Sequence, residues 1–360
     1  MSDPLGLSRI PGGSAMSRWC AGWNSSLDCT LWTPINCCPR LRSAPSPMSL
    51  TRTTASWSKH PNRSCLLRLP TTASTRICAP EPQPCSASHP NPHIEPAHRT
   101  PTSKGTAMDL KAQDLKALVT GGTRGIGRAV VAGFLDEGVN VAFCARDAEA
   151  VASTAQELSG KPARVMGASV DVGDAAALNA WVEASAAELG GIDIVVSNVS
   201  ALAIPDTDEN WEASLNVDLM GTVRLVKAAM PHLEKSRAGS IVTVSSVSGR
   251  EVDFASGPYG TVKTALVGYT QGLAFQLAGK GIRANTVSPG NTYFEGGVWE
   301  QIKEGNRELY DTALGLNPTG RMGTPEEMAA AVVFLACPIS SFTTGTNLVV
   351  DGALTRGIHL

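Results

Sequence analysis

From Lys116 onward, short apolar runs alternate with longer stretches in which apolar residues recur every three or four positions. Strands are predicted at Ala117-Leu-Val-Thr120, Val139-Asn-Val-Ala-Phe-Cys144, Arg164 to Ser169 and Ile192 to Ser197. Three more follow at Ile241-Val-Thr-Val-Ser-Ser246, Ile282 to Val287 and Asn347-Leu-Val-Val350. Helices are expected after the glycine turn to about Glu137, from Asp174 to Leu189, from about Asp208 to Lys235, from the Tyr259 region to about Ala278, and from Pro325 to Ala336. Strands this apolar, separated by helices, imply an α/β fold in which a parallel sheet is covered on both faces. One doubly wound, Rossmann-type domain fits the length after Met108.

The residues before Met108 break the pattern. They hold 15 of the 23 prolines, 7 of the 9 cysteines, and 11 Lys/Arg against 4 Asp/Glu, whereas the rest of the chain carries 19 against 28. The net charge of -2 thus joins a basic leader to an acidic body. A leader rich in Ser, Thr, Pro and Arg, without apolar periodicity, buries too little surface to offset the entropy of ordering. A disordered leader is therefore expected over 1–107 and a single dinucleotide-binding catalytic domain over 108–360. Two origins compete for the leader: a transit segment, which the stretches Pro80-Glu-Pro-Gln-Pro84 and His89-Pro-Asn-Pro-His93 argue against, or translated sequence upstream of a start at Met108-Asp-Leu-Lys. Its Lys/Arg residues are too sparse for a nucleic-acid-binding tail. The cysteines Cys20, Cys29, Cys37, Cys38, Cys65, Cys78 and Cys85 are odd in number and lack a C-x-x-C spacing, so neither a disulfide framework nor a metal site is expected. No apolar run reaches the ~18 residues that span a bilayer. A cytoplasmic protein with no membrane and no nucleic-acid partner is expected.

The first strand empties into Thr120-Gly-Gly-Thr-Arg-Gly-Ile-Gly127. Gly121, Gly125 and Gly127 let the backbone approach a pyrophosphate, and with Thr123, Arg124 and Ile126 they lead into a helix whose N-terminus offers unpaired N–H groups. Tight packing is the other use of such a turn, but a strand before and a helix after favour a dinucleotide. A bare ribose is usually held by a carboxylate at the end of the second strand, and here that place reads Cys144-Ala-Arg146, with no acid until Asp147. Arg146 and Arg124 would instead meet a 2′-phosphate, unless both are merely solvated. Charge-assisted hydrogen bonds of about 1.5–3 kcal/mol each would favour NADP(H) over NAD(H) by about tenfold or more. Asp171, which ends the third strand beside Val172, is placed either to meet the adenine amino group or to cap the next helix.

Pro258 suits the first turn of a helix, which sets Tyr259 and Lys263 one turn apart on one face. Ser246 precedes the tyrosine at the C-terminal end of a buried strand, so three hydrogen-bonding groups can converge. A phenol ordinarily titrates near 10, and it exchanges protons with a carbonyl oxygen near neutrality only if a positive charge favours its phenolate. Lys263 is spaced to be that charge, and an oxidised nicotinamide would add a second. Tyr259 is then the general acid in reduction and the general base in oxidation, with Ser246 hydrogen-bonding the reacting oxygen. The bland alternative is a surface pair of side chains and a loop hydroxyl, and each piece alone is a weak signal.

Taken together, the glycine turn, the Ser246/Tyr259/Lys263 spacing, Gly281-Ile-Arg-Ala-Asn285, Ser288-Pro-Gly290, Gly320-Arg-Met-Gly-Thr-Pro-Glu-Glu327 and Val350-Asp-Gly352 resemble the short-chain dehydrogenase/reductase family. The resemblance covers about Asp109 to Leu360. It implies a seven-stranded parallel sheet, a nicotinamide cofactor, no metal, and a homodimer or homotetramer joined through the helices containing Val217 to Lys235 and Tyr259 to Ala278. It also implies that Val172, Asn198, Tyr259 and Lys263 help hold the cofactor, Asn198 near its ribose, and that Pro289, Gly290 and Thr292 lie beside the nicotinamide.

Three departures matter. Ser197-Asn-Val-Ser200 puts Ser200 where the family usually has glycine, and Phe294 stands where it usually has threonine. Asp218 replaces a helix asparagine that anchors a relay water; it would either hold such a water or pair with Lys263. The segment from Tyr293 to Leu316 is expected to be a lid whose aromatic residues either line a pocket or pack the lid on the body. An NADP(H)-dependent oxidoreductase interconverting a small-molecule ketone and a secondary alcohol is expected, with a 3-oxoacyl thioester as one candidate substrate. Ser200 and Asp218 motivate the alternative of a dinucleotide-binding regulatory protein that has lost turnover.

Overall fold

The structure, a computed structural model, describes residues 108–358. The expectations for the leader lie outside the described residues. The first half runs β1 (Lys116–Thr120), α1 (Gly125–Asp136), β2 (Asn140–Ala145), α2 (Ala148–Leu158), β3 (Val165–Ser169), α3 (Ala175–Leu189) and β4 (Ile194–Ser197). A continuous helical stretch follows, made of α4 (Asp208–Ala213), a π-helical turn (Ser214–Met220) and α5 (Gly221–Leu233). The second half runs β5 (Ser240–Val244), α6 (Pro258–Leu277), β6 (Arg283–Pro289), α7 (Val298–Gly305), α8 (Arg307–Gly315), α9 (Pro325–Ala336) and β7 (Asn347–Val350).

Alternate side chains along the strands enter opposite cores, as the period of two requires. Val119, Ile194, Val196 and Val242 pack with Phe134 and Leu135 of α1 and Val332 and Leu335 of α9. Leu118, Val195 and Ile241 pack on the other face with Leu178 of α3, Leu225 of α5 and Leu277 of α6. Register follows this pattern: Leu118 pairs with Val195, and Val195 with Ile241. The seven strands are all parallel, in the order β3-β2-β1-β4-β5-β6-β7. Strand order reverses between β1 and β4, where crossovers to opposite sides leave a crevice at the C-terminal edge. The glycine turn, Arg146, Asp171, Asn198, Ser246 and Pro289-Gly290 lie within a few residues of that edge, whereas Asp218, Tyr259 and Lys263 come from the helical stretches that follow β4 and β5.

Specific devices fix the ends of the elements. Gly257 has φ 114, a backbone conformation open to glycine, and it turns the chain so that Pro258 can open α6. Buried Arg283, from the Gly281-Ile-Arg motif, donates to the carbonyls of Leu335, Ala336 and Cys337 and to Ser340 Oγ, capping the end of α9. Burial lowers its pKa from the ordinary guanidinium value. No helix among the described residues is long and apolar enough to cross a membrane.

Three elements depart from the sequence expectation. The helix α2 was not named there; Asp147 starts it by accepting from the N–H groups of Glu149 and Ala150. The expected helix from Asp208 to Lys235 contains a wide π turn, and the segment over the crevice folds into two short helices, α7 and α8.

Candidate active site

The glycine turn is braced from β4. Asn198 Nδ2 donates to Thr120 O (3.1 Å) and Gly121 O (3.3 Å), and its backbone N–H donates to Thr120 Oγ1 (3.0 Å). A Cβ on Gly127 would collide with the carbonyl of Gly121, so the helix can approach the turn closely only through glycine. Asn198 therefore shapes the turn from within. Arg124 is exposed and faces the segment over the crevice, its Nη1 3.4 Å from Gly296 O. Gly125 is covered by Phe294: a Cβ there would lie 2.5 Å from the Phe294 ring. The residue that replaces threonine thus packs on the first turn of α1.

At the end of β2, Arg146 is exposed and its carbonyl accepts from Ser169 Oγ (2.8 Å). Asp147, the nearest acid, is already committed to capping α2. Asp171 accepts from the N–H of Gly173 (2.8 Å), and Asp174 caps α3, so the capping role considered for Asp171 falls to its neighbour. Val172 is buried and packs near Gly221 at the start of α5. Gly290 and Thr292 hold the turn after β6: the N–H of Gly290 donates to Val350 O, and Thr292 Oγ1 donates to Gly290 O. A Cβ on Gly290 would lie 2.7 Å from Asp351 Cβ, so Pro289-Gly290 runs tight against the closing Asp351-Gly352 loop.

Contacts between α6 and the end of β5 set Lys263 beside the strand that leads into Ser246. Ser245 Oγ donates to Lys263 O (2.8 Å), Thr264 Oγ1 donates to Gly249 O (2.8 Å), and Lys263 Nζ donates to Val244 O (3.2 Å). The ammonium sits 5.5 Å from the centroid of the Tyr259 ring. The ammonium thus faces the Tyr259 ring and is held by Val244 O, two residues before Ser246.

Asp218 enters this site from the π turn. Its Oδ1 lies 3.2 Å from Lys263 Nζ, and both side chains are almost wholly buried. Its Oδ2 accepts from the N–H of Ala201 (2.8 Å), which ties the loop after β4 to the ion pair. Asp218 thus lies at ion-pair distance from Lys263, with Oδ1 making no hydrogen bond. Asn216 points elsewhere, to Gly173 O and Arg224. A lysine ammonium has three N–H donors. Val244 O takes one of them, while Asp218 Oδ1 faces the ammonium at 3.2 Å as an ion-pair partner without a hydrogen bond of its own, which leaves N–H donors for a ligand.

Two residues absent from the sequence reading complete the site. Ser246 Oγ donates to Ser248 Oγ (3.3 Å), and Ser248 Oγ donates to Asp253 Oδ2 (2.6 Å). Nothing periodic marked them, since both lie in the loop between β5 and α6.

The segment over the crevice has its own core. Trp299, Ala313 and Met322 are buried, with Tyr293, Val298, Ile302, Tyr310 and Leu314 packed against them. Glu300 braces its first turn by accepting from the N–H of Gly296 (2.7 Å) and from Tyr293 Oη (3.3 Å). Most of the aromatic residues considered as pocket lining thus pack the lid, while Trp299 also meets Phe254, from the loop bearing Asp253, edge to face at 5.8 Å.

The family model described as enoyl-(acyl carrier protein) reductase matches residues 121–355. Isoepoxydon dehydrogenase of Penicillium expansum is 44% identical over 250 residues, covering 68% of this chain and 94% of that protein. A 3-oxoacyl-[acyl-carrier-protein] reductase of Thermotoga maritima is 36% identical over 249 residues, covering 68% and 99%. Among solved structures, an NADPH-bound short-chain oxidoreductase from Pseudomonas aeruginosa PAO1 superposes with a TM-score of 0.63 at 32% identity, covering 68% of this chain and 98% of that one.

Proposed function

The chain belongs to the short-chain dehydrogenase/reductase family, and from that premise we propose an NADP(H)-dependent oxidoreductase that interconverts a compact secondary alcohol and its ketone. The reading rests above all on Lys263 Nζ, held by Val244 O and Asp218 with the Tyr259 ring 5.5 Å away. The bound nicotinamide would supply or take the hydride. Tyr259 would give a proton to the carbonyl oxygen in reduction and remove it from the hydroxyl in oxidation, and Ser246 would hold that oxygen. The glycine turn and the α1 N-terminus suit the pyrophosphate, Pro289, Gly290 and Thr292 suit the nicotinamide side, and Arg146 suits a 2′-phosphate.

For the substrate, the higher identity to isoepoxydon dehydrogenase than to the 3-oxoacyl reductase supports a small oxygenated alcohol. The aromatic pair Phe254 and Trp299, beside polar Ser248 and Asp253, supports a compact, ring-like shape. Exposed Phe275 on α6, with Leu215 and Met220 on the π turn, supports a homo-oligomer joined through these helices.

The test uses the purified full chain, titrated with NADPH and NADH and then assayed with isoepoxydon, simple cyclic alcohols and ketones, and one 3-oxoacyl thioester. Tyr259→Phe should lower turnover by about 10²–10⁴-fold while leaving NADPH affinity unchanged. Full turnover in that variant would sink the reading. The Asp218 ion pair also favours a second reading, a regulatory dinucleotide-binding protein, for which the mark is tight NADPH binding with no turnover on any member of the panel.

A further inference from the structure

We propose that Asp253, acting through Ser248, holds Ser246 Oγ as a hydrogen-bond acceptor toward the reacting oxygen, so that the site binds the alcohol in preference to the ketone. This deepens the proposed function and rests on its assignment of Ser246 to the reacting oxygen. A carboxylate only accepts hydrogen bonds, whereas a serine hydroxyl has one proton and two lone pairs. Ser248 spends its single proton on Asp253 Oδ2 at 2.6 Å. It can therefore only accept from Ser246, whose proton points to Ser248 Oγ at 3.3 Å. One lone pair of Ser246 Oγ receives the N–H of Ser248 at 3.2 Å. What remains toward a substrate is the other lone pair. With NADPH bound, the state in which Tyr259 is the proton donor, an alcohol has its own proton to give to it; a ketone has none. To bind a ketone, Ser246 must turn its proton away from Ser248 and give up that bond.

Asp253 is itself held in place. Its Oδ1 accepts from the N–H of Ala255 (2.8 Å), and its own N–H donates to Ser256 Oγ (2.9 Å). These contacts make Asp253→Asn informative. The amide oxygen of the asparagine must stay on the N–H of Ala255, which puts its NH₂ against Ser248 Oγ. Ser248 then receives from residue 253 and has its proton free for Ser246, and Ser246 in turn points its own proton into the site. The direction of the whole chain reverses without removing an atom of packing.

Binding, rather than catalytic efficiency, is the readout, because detailed balance ties the efficiencies of the two directions to the reaction equilibrium and the cofactor affinities. The full chain saturated with NADPH is titrated with cyclohex-2-enol, and the chain saturated with NADP⁺ is titrated with cyclohex-2-enone, by calorimetry; neither complex can react. The ratio of the ketone to the alcohol dissociation constant should fall about fivefold in Asp253→Asn, the worth of one neutral hydrogen bond. Ser248→Ala, which frees the Ser246 proton without reversing it, should shift the ratio the same way by less. Equal changes in both constants, or an unchanged ratio in both variants, overturn the proposal and leave the oxidoreductase reading intact. A wild-type protein that holds both cofactors and binds neither probe overturns the substrate reading, and this proposal with it.

Discussion

Asp218 and Lys263, 45 residues apart in sequence, form an ion pair (Oδ1 to Nζ, 3.2 Å) with almost no exposed surface on either side chain. Two charges taken out of water recover their desolvation cost only through each other and through further hydrogen bonds, here from Ala201 N–H and to Val244 O. Asp218→Ala should therefore lower stability by about 3–5 kcal/mol, because it leaves a buried ammonium uncompensated. A double replacement, Asp218→Leu with Lys263→Met, removes both charges at similar volume. It should be more stable than Asp218→Ala and inactive. Urea unfolding of the three proteins, with turnover measured alongside, checks both halves. A double variant no more stable than the single would show that the pair contributes little to the fold.

Arg146 gives a separate prediction about the cofactor. The carboxylate beside it is occupied, since Asp147 accepts from the N–H groups of Glu149 (2.9 Å) and Ala150 (3.1 Å). Arg146→Ala should weaken NADPH about 10–100-fold through loss of a charge-assisted hydrogen bond, with little change for NADH. Fluorescence titration of both cofactors measures this. Equal loss for both would place Arg146 away from the 2′-phosphate.

How much of this was legible beforehand depended on whether a residue's role follows from local pattern. The bounds of α9 and β7 match the sequence expectation at both ends: Thr324 and Pro325 mark the start of α9, and β7 is a clean apolar run. The placement of Tyr259 and Lys263 on one face of α6, and of Ser246 just past the end of β5, was legible because helix spacing and strand end fix it. The fate of Asp218 was not, since the π turn from Ser214 to Met220 changes which side chains face α6, and no apolar period announces a wide turn. Ser248 and Asp253 were missed for a related reason: a loop of polar residues carries no period, and their link to Ser246 exists only once the loop is folded.

The two cysteines of the described residues should be chemically silent in the native state. Burial pushes the thiol of Cys144 up to about 12, and likewise that of Cys337 to about 12, where Glu137 adds to the effect. The thiolate is the reactive form, and with such values it amounts to roughly one part in 10⁴ at pH 8. Iodoacetamide at pH 8 followed by peptide mapping should find both unmodified in the native protein and both alkylated in urea. Native labelling of either would mean that its strand end or helix end opens far more readily than its burial suggests.

Arg321 and Glu327 tie the loop after α8 to the first turn of α9, and their contribution should depend on pH in a defined direction. Two guanidinium nitrogens contact the carboxylate at 2.8 and 2.6 Å, and the N–H of Thr324 donates to it at 2.9 Å. These contacts hold the Glu327 carboxyl down at about 2, against an ordinary 4.5. A group with its folded pKa depressed contributes fully above its unfolded value, and that contribution fades as pH falls toward the folded one. The side chains are 59% and 43% exposed, so solvent screening leaves only about 0.5–1 kcal/mol. Glu327→Gln should cost that much at pH 7, because the amide oxygen can still accept from Thr324 while the ion pair is lost. The gap to wild type should narrow below about pH 4.5 and close near pH 2. Urea unfolding at pH 7, 5, 4 and 3 measures it. A gap that stayed constant with pH would assign the loss to the neutral cap instead of the charge.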